Sequence, residues 1–144
     1  MNEITYPDRK TLNDTEMFDD IVNGILSVMG DDVLKIILYG SVARGDNTWE
    51  SDVDIAVITS RRYTLDETLK TLADTEISLM YKYGVAVQIV TIEQNRFDEW
   101  LFDLPFYYNI DEEGILLWTK ENGRICLDTA LKEREKKSIL QISC

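Results

Sequence analysis

The tightest constraint on what this chain can fold into is the short link between two strand-like runs. Val33–Tyr39 and Val53–Thr59 are mostly β-favouring, and only the insert Gly40–Asp52 separates them. A parallel pair needs a helical crossover between its strands. This insert is too short to hold one, so an antiparallel pair is expected. The next strand-like run, Val85–Thr91, follows a much longer segment. There Thr64 and Glu67 form a capping box. Leu65, Leu69, Leu72, Ala73, Ile77 and Met80 recur at helical spacing, and Gly84 supplies a stop. A helix of that length allows a right-handed parallel crossover between the second and third strands.

The flanking sequence extends the pattern. Asn13 with Glu16 is another capping box, followed by the apolar stripe Phe18, Ile21, Val22, Ile25 and Met29 and closed by Gly30. Thr91 with Gln94 predicts a helix that ends before Pro105, and Ile115–Thr119 reads as a last strand. The expected fold is α/β (α+β), a small mixed β-sheet covered by helices. It spans residues 1–126, with 127–144 as a charged C-terminal helix or tail.

Composition narrows the chemistry. The chain has 144 residues, enough for one domain with a real core, and no histidine. That removes serine–histidine and cysteine–histidine catalysis and histidine-ligated zinc. Catalysis must run on carboxylates, a bound metal or basic side chains. Cys126 and Cys144 lie late and apart, which suggests neither a disulfide framework nor a metal cluster and points to the cytosol. No run is long enough to span a membrane, and the N-terminus lacks a basic leader. The net charge of −12 disfavours direct contact with nucleic acid and suits cations or a basic protein partner.

The informative stretch is Leu38–Val57. Asp52 and Asp54 stand two apart at the start of a strand, so both carboxylates point to one face, about 6–7 Å apart at Cα. Two bare carboxylates at that separation repel by about 3 kcal/mol at an effective dielectric of about 20. A hard divalent cation offsets this, and magnesium usually joins one or two carboxylates to substrate phosphates. An exposed strand face with two solvated acids has the same pattern. Gly40 lets the backbone approach a ligand closely. A helix opening at Ser41 presents free N–H groups and a hydroxyl, and Arg44 adds a charged donor for phosphate. A plain turn with a serine cap also fits. Side by side, the two elements would hold a nucleoside triphosphate next to a metal, as in-line nucleotidyl transfer requires.

Gly40-Ser41, ten residues, then Asp52-Val53-Asp54 resembles the signature of the DNA-polymerase-β-like nucleotidyltransferase superfamily. The fuller strings Tyr39–Gly45 and Ser51–Val57 resemble the minimal nucleotidyltransferases of bacteria and archaea. Leu104–Ile115 resembles, more weakly, a segment near the C-terminus of a subgroup of them. The resemblance implies a nucleotidyltransferase fold. It implies triphosphate binding at Gly40 and Ser41, with Arg44 beside them, Mg2+ at Asp52 and Asp54, and ATP as the nucleotide. Many such domains are antitoxins paired with a HEPN-type RNase toxin, and some adenylylate it. Other relatives modify small molecules, including aminoglycosides.

One departure stands out. The superfamily carries a third acid on the third strand, where this chain has Gln88. An amide has no charge and is no base at neutral pH. Glu93, expected in the first turn of the next helix, and Asp46 and Glu50 in the loop are the nearest candidates to replace it. Three readings remain: an active transferase, a degenerate antitoxin that works by contact, and a nucleotide-binding module. The late aromatic stretch Trp100, Phe102, Phe106, Tyr107 and Tyr108 is expected chiefly to pack a helix onto the sheet, with part of it available to a partner helix.

Overall fold

The computed structural model describes residues 15–48 and 50–125. The Asn13 cap, both cysteines and the segment 127–144 lie outside the described residues. Helix α1, Thr15–Met29, buries its expected stripe, with Phe18, Ile21 and Ile25 fully enclosed. A 3-10 turn, Gly30–Asp32, leads into β1, Val33–Tyr39. The short helix α2, Gly40–Arg44, precedes β2, Val53–Thr59, and then come α3, Leu65–Tyr83, and β3, Val87–Glu93. Two further helices, α4, Gln94–Trp100, and α5, Pro105–Glu113, precede β4, Ile115–Thr119, and β5, Gly123–Arg124.

The sheet order is β3-β2-β1-β4-β5. Strands β1 and β2 pair antiparallel across the short insert, and β2 and β3 pair parallel across α3. Strand β4 adds antiparallel to the other side of β1, so the sheet is mixed, as expected. Both halves of the Thr64–Glu67 capping box form, at 3.1 and 3.3 Å. Gly84 closes α3 in the left-handed region, at φ 68°.

Alternation along β2 divides the molecule. Val53, Ile55 and Val57 enter the larger core beneath α1 and α3. Ala56 and Ile58 enter a smaller core with Phe97 and Ile110 of α4 and α5. Asp54 shares the parity of Ala56 and Ile58 and faces the smaller core's side, where helical cover is thinner.

Several expectations need correction. Most of the apolar stripe on α3 faces solvent: Leu65, Leu69, Ile77 and Met80 are exposed, and Leu72 alone of the six is buried. The helix instead buries Thr68, Leu72 and Leu79. The Thr68 hydroxyl meets that of Thr91 at 2.7 Å, a tertiary bond that favours this rotation of the helix. Thr91 therefore caps nothing, and α4 starts from Glu93 without a side-chain cap. Strand β3 lies two residues later than expected, because Val85 and Ala86 carry the chain from the Gly84 cap to the sheet, where Ala86 accepts from the Val53 N–H. Helix α5 and strand β5 were not foreseen. Pro105 ends one helical pattern and also opens the next, from its favoured first-turn position.

Candidate active site

The site forms where β1 ends and β2 begins. Tyr39 and Asp54 are direct partners in the β1–β2 ladder, so the turn at Gly40 passes beside Asp54. Gly40 adopts φ 77°, and a Cβ there would overlap the Asp54 carboxylate and lie 3.3 Å from its Cγ. Only glycine allows this approach. Ser41 follows in the same turn, half-buried, and its carbonyl accepts the N–H groups of Gly45 and Asp46 at 2.9 and 3.1 Å.

The third strand completes the cluster. Asp54 is paired with Gln88 in the parallel ladder, so the two side chains share a face. The Gln88 amide nitrogen donates to the Asp52 carboxylate at 2.7 Å. Asp52, Asp54 and Gln88 thus converge at one end of the sheet, with Gly40 against Asp54.

The electrostatics follow from this crowding. Burial pushes the Asp54 carboxyl above the ordinary range, the neighbouring Asp52 charge adds to the effect, and Arg44 opposes it. Burial, and then the charge of Asp54, push the Tyr39 phenol up to about 12. A cation placed between the two carboxylates would relieve their repulsion, so the donor set fits magnesium with two carboxylates and substrate phosphates. Among the described residues no three acidic or cysteine side chains gather as a metal-binding group.

The remaining candidates are dispersed. Arg44 sits beside the site but is tied at 3.2 Å to Asp46 and at 3.2 Å to Glu113 of α5. Asp46 is thereby engaged, and Glu50 stays exposed in the loop. Glu93 is not in a helical turn but ends β3, opposite Thr59. It stands five rungs from the Asp54–Gln88 pair, about 17 Å along the strand, too far to replace the third acid. The aromatic stretch divides. Tyr107 packs against Phe97, whereas Trp100, Phe102, Phe106 and Tyr108 are exposed. Phe106 meets Tyr39 edge-on at 5.8 Å. Neither that contact nor the Arg44–Glu113 tether was foreseen, since both join residues more than 60 positions apart.

The family model for polymerase β nucleotidyltransferases matches residues 24–122. The chain belongs to this family. As a nucleotidyltransferase-family member it is 32% identical over 107 residues to a Methanocaldococcus jannaschii protein that bears the provisional name protein adenylyltransferase. That match covers 74% of this chain and all of the relative. The fold is shared with a crystal structure from Sulfolobus solfataricus provisionally named a nucleotidyltransferase, at TM-score 0.59 and 16% identity, covering 88% of this chain and 99% of that one. It is also shared with a toxin–antitoxin structure containing AMP-PNP, at TM-score 0.52 and 16% identity, covering 84% and 86%. Among the described residues no helix is long and apolar enough to cross a membrane.

Proposed function

We propose that this nucleotidyltransferase-family protein binds ATP with Mg2+ at Gly40, Ser41, Asp52 and Asp54 and transfers a nucleotidyl group slowly, to a hydroxyl of a protein partner. The observation that carries this reading is the approach of Gly40 to Asp54, beside Asp52. It sets the turn that carries Ser41 directly beside two carboxylates that need a cation. The provisional name of the M. jannaschii relative and the AMP-PNP in the toxin–antitoxin structure support adenine nucleotide and a protein acceptor. A helical toxin of the HEPN type is the partner the family resemblance suggests.

Asp52 and Asp54 would hold the metal, which when bound neutralises phosphate charge and the repulsion between the two acids. Gly40 lets the turn that carries Ser41 close against Asp54, and Arg44 exchanges Asp46 and Glu113 for phosphate oxygens. In the transfer, the acceptor hydroxyl oxygen bonds to the α-phosphorus, the bond to pyrophosphate breaks, and the hydroxyl proton leaves to solvent water. Gln88 cannot take it. It donates to Asp52 and is no base. General-base catalysis is typically worth about 10²–10⁴-fold, so nucleotide binding is retained while transfer is slow. Incubation with labelled ATP, Mg2+ and a HEPN-type partner tests this. Gln88→Asp should increase transferred label by at least about tenfold with little change in ATP affinity. Brisk wild-type transfer that is indifferent to this substitution would overturn the proposal.

The Gln88–Asp52 hydrogen bond favours a second reading. The amide already offsets part of the Asp52 charge, as suits a protein that restrains its partner by contact alone. On that reading, partner inhibition is unaffected by Asp52→Asn and needs no ATP.

A further inference from the structure

The corner between α4 and α5 exposes an unusual set of side chains. Phe102 is 82% exposed, and Trp100, Leu104, Phe106 and Tyr108 are each more than 40% exposed. Exposed aromatic side chains gathered in one short segment mark an interaction surface. Its surroundings are one-sided in charge. Between Gln94 and Glu113 the chain carries Asp98, Glu99, Asp103, Asp111, Glu112 and Glu113 against Arg96 as the one basic residue. Glu99, Asp103 and Glu112 have no ion-pair partner among the described residues.

The patch is continuous with the candidate active site. Phe106 lies edge-on against Tyr39, which neighbours Asp54 across the β1–β2 ladder and leads into Gly40. Two turns further along α5, about 10 Å away, Glu113 holds Arg44 beside the same site. A macromolecule that presents a hydroxyl to this site would lie across the exposed end of α5. We propose that the α4–α5 corner is the docking surface for the acceptor protein, and that it takes a basic amphipathic segment. Apolar side chains of that segment cover Phe102, Leu104 and Tyr108, away from the Phe106 side that meets Tyr39, and its lysines or arginines meet Glu99, Asp103 and Glu112. This rests on the reading of the neighbouring site as one that modifies a protein.

Charge selects this occupant. A second copy of the chain would bring the same acidic rim against itself, and the phosphates of RNA would be repelled. The apolar stripe of α3, with Leu69 and Ile77 exposed, is a comparable surface on a helix that covers the opposite face of the sheet from Asp54, and it serves as a control.

The test uses the full chain and two labelled helical peptides, one built from leucine and lysine, the other from leucine and glutamate. Fluorescence anisotropy should show binding of the lysine peptide, weakened by salt, and none of the glutamate peptide. Phe102→Ser combined with Tyr108→Ser should weaken the lysine peptide by at least about tenfold. Leu69→Ser combined with Ile77→Ser should leave it unchanged. ATP–Mg2+ binding, measured by calorimetry on the same proteins, should match wild type in both variants. The proposal fails if the corner variant binds the lysine peptide like wild type, or if the α3 variant loses it equally. It also fails if the glutamate peptide or an RNA oligonucleotide binds as well, or if the corner variant abolishes a dimer seen by sedimentation. Peptide binding that is lost through the corner substitutions, in a protein whose wild-type chain never binds ATP–Mg2+, would keep the docking surface and overturn the reading of the site.

Discussion

The two faces of the sheet are built to different standards. Beneath α1 and α3 the larger core is closed: Met17, Phe18, Ile21, Ile25 and Ile55 have no exposed surface. On the other face α4 and α5 cover Ala56 and Ile58 but leave the strand ends open, and there Asp54, Asp52 and Gln88 meet. One strand serves both faces. Alternate residues of β2 give aliphatic side chains to the closed side and Asp54 to the open side. A charged pair is tolerable only where water or a ligand reaches it, because a carboxylate enclosed without a partner costs several kcal/mol. Stability is thus concentrated on one face and the candidate chemistry on the other.

Substitutions can break or sharpen that contrast. Phe18→Ala strikes the closed face and should cost about 3–5 kcal/mol in urea unfolding. A loss below about 1 kcal/mol would mean that this face is not the stabilising one. Gly40→Ala strikes the junction. A Cβ at φ 77° would displace the Asp54 carboxylate, so the cost in stability should be smaller, about 1–3 kcal/mol, while ATP–Mg2+ binding by calorimetry falls at least about tenfold. Binding retained at wild-type strength would separate Gly40 from the nucleotide site.

Asp54→Asn should divide the two properties in opposite directions. The Asp54 carboxyl is raised by burial and then by Asp52, so its folded-state value lies above its unfolded one. The stability linked to this group is complete below the unfolded value and is lost as pH rises through the folded value. At neutral pH its charge therefore opposes folding. Without metal, Asp54→Asn should raise stability, by less than about 1 kcal/mol because solvent screens the half-exposed group, and the gain should vanish in acid. Nucleotide binding with Mg2+ should weaken. Urea midpoints across pH with parallel calorimetry would check both, and a variant less stable at neutral pH would contradict the assigned repulsion.

The smallest effect belongs to the rim of the closed face. The Asp20 carboxyl is held below the ordinary range by hydrogen bonds from Lys82, at 2.7 Å, and Tyr83, at 2.5 Å. Here the folded value lies below the unfolded one, so the stabilisation is present above the unfolded value and lost as pH falls through the folded value. Asp20→Asn should flatten only the acid limb of the stability profile, and slightly, since the cluster is open to solvent. An unchanged acid limb would remove Asp20 from the account.

Much of this molecule is legible in its sequence. The α1 stripe, the Thr64–Glu67 cap, the Gly84 stop, the antiparallel β1–β2 pair and the parallel β2–β3 pair are all written in near neighbours along the chain. Period, capping and link length are local properties, so local residues determine them. The proximity of Gly40 to Asp54 was also accessible, because a short insert between paired strands brings their ends together. Tertiary structure alone decided which side of α3 is buried, with Thr68 bonded to Thr91, Leu72 and Leu79 in the core, and Leu65, Leu69, Ile77 and Met80 turned to solvent. It placed Glu93 at the wrong end of β3 to rescue the site, and divided the late aromatics between core and surface. It also brought Gln88 onto Asp52 and Glu113 onto Arg44. Those outcomes depend on register and on contacts between distant segments, where several pairings satisfy the same local pattern and only their combined packing and hydrogen bonding selects one.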